Sequence, residues 1–130
     1  MPKGALVRAL VVDDSRAMRA ILRHFLEQLG FEVFEANHGK EGLDRLHQVG
    51  EVDLAMVDWN MPVMNGLEFV RAVRSANGGY PDLRLMMVTT ETELDRVSEA
   101  LEAGANEYVM KPFTKAVLAE KLVILGMTQV

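Results

Sequence analysis

Short apolar segments alternate with amphipathic segments along this chain, and this alternation restricts the possible folds more than any other feature of the sequence. Residues 5–12 are almost continuously apolar, which is typical of a strand covered on both faces of a sheet. From Met18 to Leu29, apolar residues recur at spacings of three and four, the pattern of a helix with one buried face. Gly30 follows and is suited to ending that helix.

The same alternation continues to the end of the chain. We predict further strands at 31–36, 54–57, 85–89 and 108–110, and further helices at 39–49, at 66–76, around Leu94, Val97 and Leu101 up to Gly104, and at 114–125. Residues 31–36 have a more polar face and are expected at an edge. Strict alternation predicts an α/β protein with a parallel sheet and helices on both faces. We therefore expect one domain, 1–130, with a doubly wound, five-stranded parallel sheet and five helices. Of the two common strand orders for such a sheet, the flavodoxin-like order 2-1-3-4-5 is the one that the family resemblance given below implies.

Composition excludes several classes of protein. The chain has no cysteine, so it contains neither disulfides nor a thiolate metal site. Its formal net charge is −5, which disfavours a broad nucleic-acid-binding surface. No stretch approaches the roughly 20 apolar residues that cross a bilayer. We therefore expect a cytoplasmic protein that neither binds nucleic acid nor inserts into a membrane. We also expect it to be a monomer.

Polar side chains follow the predicted strands at the points where those strands end. Asp13 and Asp14 follow the first strand, Asp58 the third, Thr89 ends the fourth, and Lys111 follows the fifth. Ligands bind at the carboxyl ends of the strands in sheets of this kind, where the strand order reverses. With strands 1 and 3 adjacent, three carboxylates, a hydroxyl and an ammonium group would meet at one crevice.

Such a cluster of carboxylates indicates a cation. Each close pair repels by roughly 4 kcal/mol at an effective dielectric constant near 20. A small set of carboxylates with room for water suits Mg²⁺, and a divalent ion allows Asp58 to act as a nucleophile towards a phosphoryl group. Each residue also has a structural interpretation: Asp13 to Ser15 as a helix N-cap, Asp58 as a turn residue, and Thr89 as an ordinary strand residue. We infer the function because the polar groups at the ends of several strands are together those that a single site for a metal ion and a phosphoryl group would use.

Four separated motifs, VVDDS, VDWNMPVMNGLEFV, MVTTE and YVMKPFT, resemble the receiver domain of bacterial response regulators. The resemblance extends over residues 7–125 and is strongest to the stand-alone chemotaxis members of that family. It implies that Asp58 is the phosphoacceptor. It also implies that Asp13, Asp14, Asp58 and the backbone carbonyl of Asn60 hold Mg²⁺.

Further roles follow from the same resemblance. Thr89 corresponds to the switch hydroxyl, Lys111 to the ammonium group that contacts the phosphoryl group, and Tyr108 to the aromatic residue that turns inward with Thr89. Asn60 and Glu91 match the two positions that tune loss of the phosphoryl group. The resemblance also implies a cis peptide bond before Pro112.

The implied function is a phosphoacceptor switch in a two-component system, not an enzyme beyond its own phosphorylation and dephosphorylation. A sensor histidine kinase would donate the phosphoryl group. A downstream output protein, such as a flagellar motor switch, would bind the face formed by helix 4, strand 5 and helix 5, and a phosphatase would be a further partner. The alternatives are a single-domain phosphorelay receiver, a receiver from a larger regulator, an Asp-nucleophile phosphatase and a flavin binder.

The sequence departs from the chemotaxis pattern after the fourth strand. Thr90 replaces an alanine, and the next helix begins with Glu91, Glu93 and Asp95, where a more basic sequence is usual. Acidic residues in a first turn are favoured by the helix dipole. Because this helix borders the output face in the family, the departure leaves the identity of the partner open.

Overall fold

A computed structural model describes residues 7–75 and 79–127 of the chain. The strands are β1 (Val7–Val12), β2 (Phe31–Ala36), β3 (Leu54–Asp58), β4 (Arg84–Thr89) and β5 (Glu107–Met110). The helices are α1 (Arg16–Gln28), α2 (Gly39–Val49), α3 (Gly66–Val73), α4 (Val97–Ala103) and α5 (Lys115–Ile124), with a 3₁₀ helix (Glu91–Arg96) directly before α4. All strand pairs are parallel and the order is β2-β1-β3-β4-β5. The predicted fold class and strand order are therefore confirmed.

Two hydrophobic cores lie on the two faces of the sheet. Leu10 and Val12 of β1 belong to one core with residues of α2, α3 and α4. Ala9 and Val11 belong to the other core with residues of α1 and α5. Successive residues of a strand point to opposite faces, so a continuously apolar strand requires helices on both sides.

The ends of the elements differ slightly from the predicted ones. β2 lies at an edge of the sheet, as its polar face indicates. The helix predicted at 66–76 ends at Val73, and Ala76 lies outside the described residues, as do residues 5 and 6 of the first predicted strand.

The segment before α4 is the largest difference from the sequence prediction. A single α-helix was expected through Leu94, Val97 and Leu101, but residues 91–96 form a 3₁₀ helix. A 3₁₀ helix has three residues per turn instead of 3.6, so its side chains lie at different angles around the helix axis from those that an α-helical pattern assigns to them. Val97 is buried, whereas Leu94 and Leu101 are 39% and 43% exposed.

The described α-helices are 7 to 13 residues long, and the 3₁₀ helix has six residues. Within the part of the chain that the structure describes, none is long and apolar enough to cross a membrane.

Candidate functional site

The pairing of β1 with β3 brings three carboxylates together. Val12 lies opposite Val57, so the next residues, Asp13 and Asp58, emerge side by side at the carboxyl edge of the sheet. Asp14 follows directly. One carboxylate oxygen from each aspartate lies within 4.8 Å of the other two. Asp13 and Asp58 are buried and Asp14 is exposed, so the cluster opens to solvent on one side.

Lys111 reaches this cluster from the far side of β4. The backbone N–H of Lys111 donates to the carbonyl of Thr89 at 2.7 Å, and the peptide bond between Lys111 and Pro112 is cis. The Lys111 ammonium donates to Asp58 Oδ1 at 3.1 Å and lies 3.7 Å from Asp13 Oδ2. The side chain is 21% exposed, so the ion pairs are shielded from water and less screened than surface pairs.

One ammonium group does not compensate two buried carboxylates. Burial, followed by the charge of Asp13, raises the pKa of Asp58 to about 6, although Lys111 acts in the opposite direction. Burial also raises the pKa of Asp13, against the hydrogen bond from the Ser15 backbone. Both shifts have the sign expected when carboxylates are desolvated close to one another.

The donor set fits a hard divalent cation. All three ligands are carboxylates, which hard cations prefer. Asp13 Oδ2 is buried and has no hydrogen-bond partner among the residues that the structure describes, and such an atom is costly unless something binds it. The exposed position of Asp14 leaves one side of the cluster open, where water can complete the coordination of an ion. Asn60 lies two residues after Asp58, and the role of its carbonyl as a fourth ligand stays a prediction.

Helix capping accounts for only part of the DDS motif. Ser15 is the N-cap of α1 and accepts from the N–H of Met18 at 3.2 Å. Asp13 Oδ1 accepts from the N–H of Ser15 at 2.8 Å, which fixes the turn. Because the cap itself is supplied by Ser15, the second oxygen of Asp13 and the whole carboxylate of Asp14 are free for the acidic cluster.

Within the described part of the chain, the two residues assigned to the switch form their polar contacts with residues other than the three aspartates. Thr89 is fully buried, and its hydroxyl donates to the carbonyl of Thr90 at 3.2 Å. Tyr108 is partly buried, and the Lys121 ammonium lies 4.5 Å from the centroid of its ring. Lys121 also pairs with Glu107 at 3.2 Å. A motion of Thr89 towards Asp58 would therefore break one hydrogen bond.

The structure places the two tuning positions differently from one another. Asn60 is exposed two residues after Asp58, and its side-chain amide donates to Glu93. Glu91 is the first residue of the 3₁₀ helix, and its side chain lies outside the described part of the structure. The tuning roles of Asn60 and Glu91 stay predictions.

Two residues near the site were not singled out for it from the sequence. Glu93 is nearly buried and joins Asn60 to Thr90; its position three residues after Thr90 is the signature of a capping box. Arg19 Nη1 donates to the carbonyl of Asp13 at 2.7 Å. Nothing in the local sequence distinguishes this arginine from the others on α1.

Comparison with known proteins gives consistent matches. Residues 9–123 match the family model described as response regulator receiver domain. The chain is 46% identical over 122 residues to the chemotaxis protein CheY1 of Helicobacter pylori, covering 92% of this chain and 98% of that protein. It is 50% identical over 117 residues to a CheY homolog of Campylobacter jejuni, covering 89% of each. Among solved structures, the chemotaxis protein CheY4 of Vibrio cholerae has a TM-score of 0.83 at 38% identity, covering 92% of this chain and 98% of that one.

Proposed function

Because the chain belongs to the response regulator receiver domain family and is CheY-like, we propose that it is a phosphoacceptor switch, a single receiver domain in chemotaxis signalling. The observation that carries this proposal is the position of Asp58. Its carboxylate is buried at the end of β3, contacts Lys111 at 3.1 Å and lies in one cluster with Asp13 and Asp14. Members of this family act as signalling proteins, and the proposed donor is a sensor histidine kinase.

The proposed chemistry is transfer of a phosphoryl group from a phosphohistidine to Asp58. An oxygen of the Asp58 carboxylate attacks phosphorus, the P–O bond forms, and the P–N bond to the imidazole breaks. With a pKa of about 6, Asp58 is mostly ionised at neutral pH and can attack. Lys111 already lies on one side of this carboxylate and is placed to contact a phosphoryl oxygen.

Mg²⁺ is the proposed cofactor. We propose that Asp13, Asp14, Asp58 and the backbone carbonyl of Asn60 hold it, and that Asp13 Oδ2, which is paired with Lys111 only at 3.7 Å, becomes a ligand. When bound, the ion would neutralise negative charge on the transferring phosphoryl oxygens. The carboxylates alone would repel those oxygens, so phosphorylation should require the ion.

The proposed output is a change on the face formed by α4, β5 and α5. Phosphorylation places new acceptor oxygens beside Thr89, whose hydroxyl would leave the carbonyl of Thr90 to donate to one of them. The vacated space lies next to β5, and Tyr108 would turn into it. Both arrangements exist beforehand and phosphorylation shifts their populations. The proposed partner on this face is a downstream output protein such as a flagellar motor switch, and a phosphatase would end the signal.

Incubation with acetyl phosphate tests this proposal. We expect mass spectrometry to find one phosphoryl group on Asp58, added only in the presence of Mg²⁺ and lost in mild base because acyl phosphates are labile. Asp58→Asn should abolish the adduct. Thr89→Ala should still be phosphorylated but should lose most of the gain in affinity for the output partner, because the hydroxyl that moves is missing.

Asp82→Asn is the matched control, since Asp82 is an exposed carboxylate outside the cluster. It should be phosphorylated like the wild type. An adduct that persists in Asp58→Asn would show that the phosphoacceptor is another residue. Sustained turnover of a generic phosphate ester would indicate a phosphatase instead, and a bound yellow cofactor would indicate a flavin protein.

A further inference from the structure

We propose that Glu93 is a positioning residue that ties Asn60 to Thr90 and so holds the site in its unphosphorylated arrangement. We call the contacts of Glu93 with Asn60 and Thr90 the Glu93 latch. This inference rests on the proposed function, because it concerns the same switch.

The latch uses both oxygens of one carboxylate. Glu93 Oε1 accepts from the backbone N–H of Thr90 at 3.0 Å and from its hydroxyl at 3.1 Å. Glu93 Oε2 accepts from the side-chain amide of Asn60. Only 9% of Glu93 is exposed. A carboxylate that is nearly buried and bonded on both oxygens has a defined position, so it can fix the two segments that it joins.

Capping alone does not explain this arrangement. In a capping box, the N3 carboxylate returns to the N-cap backbone and needs no other partner. The capping box of α3 shows this simple form: Glu68 is exposed and accepts from the N–H of Asn65 at 3.0 Å, and its carboxylate has no hydrogen bond to another loop among the described residues. Glu93 in addition reaches 33 residues back along the chain to Asn60.

The latch bears on the switch through Thr90. The hydroxyl of Thr89 donates to the carbonyl of Thr90 at 3.2 Å, while Glu93 holds the N–H and hydroxyl of the same residue. For Thr89 to turn towards Asp58, it must release that carbonyl, and Thr90 is held in place on its other side. The latch therefore favours the resting position of Thr89, and its loss should shift the population towards the active arrangement.

The test measures binding of beryllofluoride, a phosphoryl mimic, to the whole chain at saturating Mg²⁺, with Trp59 fluorescence as the signal. Trp59 follows Asp58 directly and is the only tryptophan. We expect Glu93→Ala to bind beryllofluoride about three- to tenfold more tightly, the size expected for losing one or two hydrogen bonds that favour the resting state. Asn60→Ala, which keeps the backbone carbonyl, should tighten binding in the same direction. The double variant should show less than the sum of the two effects.

A second measurement uses the metal-free protein and separates the latch from simple capping. Asn60 does not bond to Thr90, yet it holds the carboxylate that does. Asn60→Ala should therefore accelerate hydrogen exchange of the Thr90 amide, measured by NMR. A role of Glu93 confined to capping would leave this rate unchanged in Asn60→Ala.

Three variants act as controls. Glu99→Ala removes an exposed acidic side chain from the first turn of α4 and tests the effect of charge alone. Glu68→Ala removes a capping-box carboxylate without an interloop contact. Both should bind beryllofluoride like the wild type. Glu93→Gln can still accept and donate hydrogen bonds at the same place, so it should restore most of the wild-type affinity.

The outcomes separate the latch from the function on which it rests. If the wild type itself does not bind beryllofluoride, the proposed function is wrong and the latch falls with it. If the wild type binds but Glu93→Ala binds no more tightly, or Asn60→Ala leaves Thr90 exchange unchanged, only the latch is wrong. Should Glu93→Ala not fold, Asn60→Ala decides the same question through beryllofluoride affinity and Thr90 amide exchange.

Discussion

The surroundings of Asp58 disfavour the ionised form of its carboxylate. Its side chain is 9% exposed, Asp13 lies beside it, and Lys111 is the cation that pairs with it. Without a metal ion, the folded state therefore contains a carboxylate that is harder to ionise than in the unfolded chain. This cost belongs to the residues that would hold the phosphoryl group and the ion, so it reflects the site's function more than its stability.

We predict that the metal-free protein loses stability as the pH rises from about 4 to about 6, the range between the ordinary pKa of Asp58 and its pKa in the folded state. The pKa of Asp58 is about 6 in the folded state, against 3.8 as its ordinary value. Between these values the folded state binds more protons than the unfolded state, so the free energy of unfolding falls with rising pH. Asp58→Asn has no carboxylate to ionise, so it should be more stable than the wild type by about 1–2 kcal/mol at pH 7.5. This range is the free energy that corresponds to a rise in pKa from 3.8 to about 6, reduced by the loss of the ion pair with Lys111. Urea unfolding in EDTA at pH 4.5 and 7.5 measures this.

The comparison needs a variant with the same chemical change outside the site. Asp82→Asn provides it, because Asp82 is exposed. Its stability relative to the wild type should not vary in this way with pH. Equal stability of Asp58→Asn and wild type at pH 7.5 would contradict the assigned cost of burying Asp58.

At the scale of elements, the first residue of α3 packs closely against the backbone at the end of β3. Gly66 is the first residue of α3, and its N–H donates to the carbonyl of Trp59 at 3.0 Å. A Cβ at this position would come within 2.8 Å of the carbonyl oxygen of Asp58 and 3.1 Å of Trp59 Cα. Because these two neighbours are backbone atoms, they cannot rotate away, and the conformation of the loop that follows Asp58 depends on this glycine.

We predict that Gly66→Ala displaces the end of β3. It should lower the free energy of unfolding by about 1–3 kcal/mol, the usual cost of forcing an extra carbon into a packed position, and it should weaken Mg²⁺ binding because Asp58 moves. Chemical unfolding and a Trp59 fluorescence titration with Mg²⁺ measure the two effects.

Gly39→Ala is the matched control, since Gly39 is the first residue of α2. The added carbon would meet the side chain of Met64, with the nearest atom at 2.8 Å. Methionine is flexible and can yield, so we expect a smaller loss of stability and unchanged Mg²⁺ binding. Equal effects of the two substitutions would show that the backbone contact of Gly66 has no special role.

At the scale of the whole molecule, one sheet edge brings together residues that lie at or just after the ends of β1, β3, β4 and β5. A ligand that binds there contacts only the folded state, because the unfolded chain holds Asp13 and Asp58 far apart. Binding and folding are therefore thermodynamically linked.

We predict that Mg²⁺ raises the thermal stability of the whole domain. At a concentration a hundredfold above its Kd, a ligand specific to the folded state stabilises it by roughly 2.7 kcal/mol. Differential scanning calorimetry with increasing MgCl₂ should show this, with a matched change in Trp59 fluorescence. A melting temperature that does not respond to millimolar Mg²⁺ would contradict the metal assignment.

Two comparisons make the effect specific. NaCl at the same ionic strength should not reproduce it. Asp14→Asn removes a charge from the cluster, so it should raise metal-free stability while reducing the Mg²⁺-dependent gain. These opposite signs distinguish binding at the cluster from general screening of charge.

The sequence by itself determined the layers of this protein and the location of its candidate site. Continuous apolar strands such as residues 9–12 require cover on both faces, and helical periodicity supplies that cover, so local pattern is enough to give an α/β sheet. The local sequence places Asp13, Asp58 and Thr89 at the ends of strands, independently of the contacts that their side chains form in the folded protein. The parallel arrangement of the strands then places those ends at one edge.

Only the tertiary structure decided how those residues are paired and at what energetic cost. The contacts of Lys111 with Asp58 and of Glu93 with Asn60 join residues 53 and 33 positions apart. The 3₁₀ winding before α4 and the burial that raises the pKa of Asp58 likewise depend on neighbours from distant segments. Local sequence encodes periodicity and turn chemistry, but burial and contact distance exist only once the strands have packed, so these features could not be read from the chain alone.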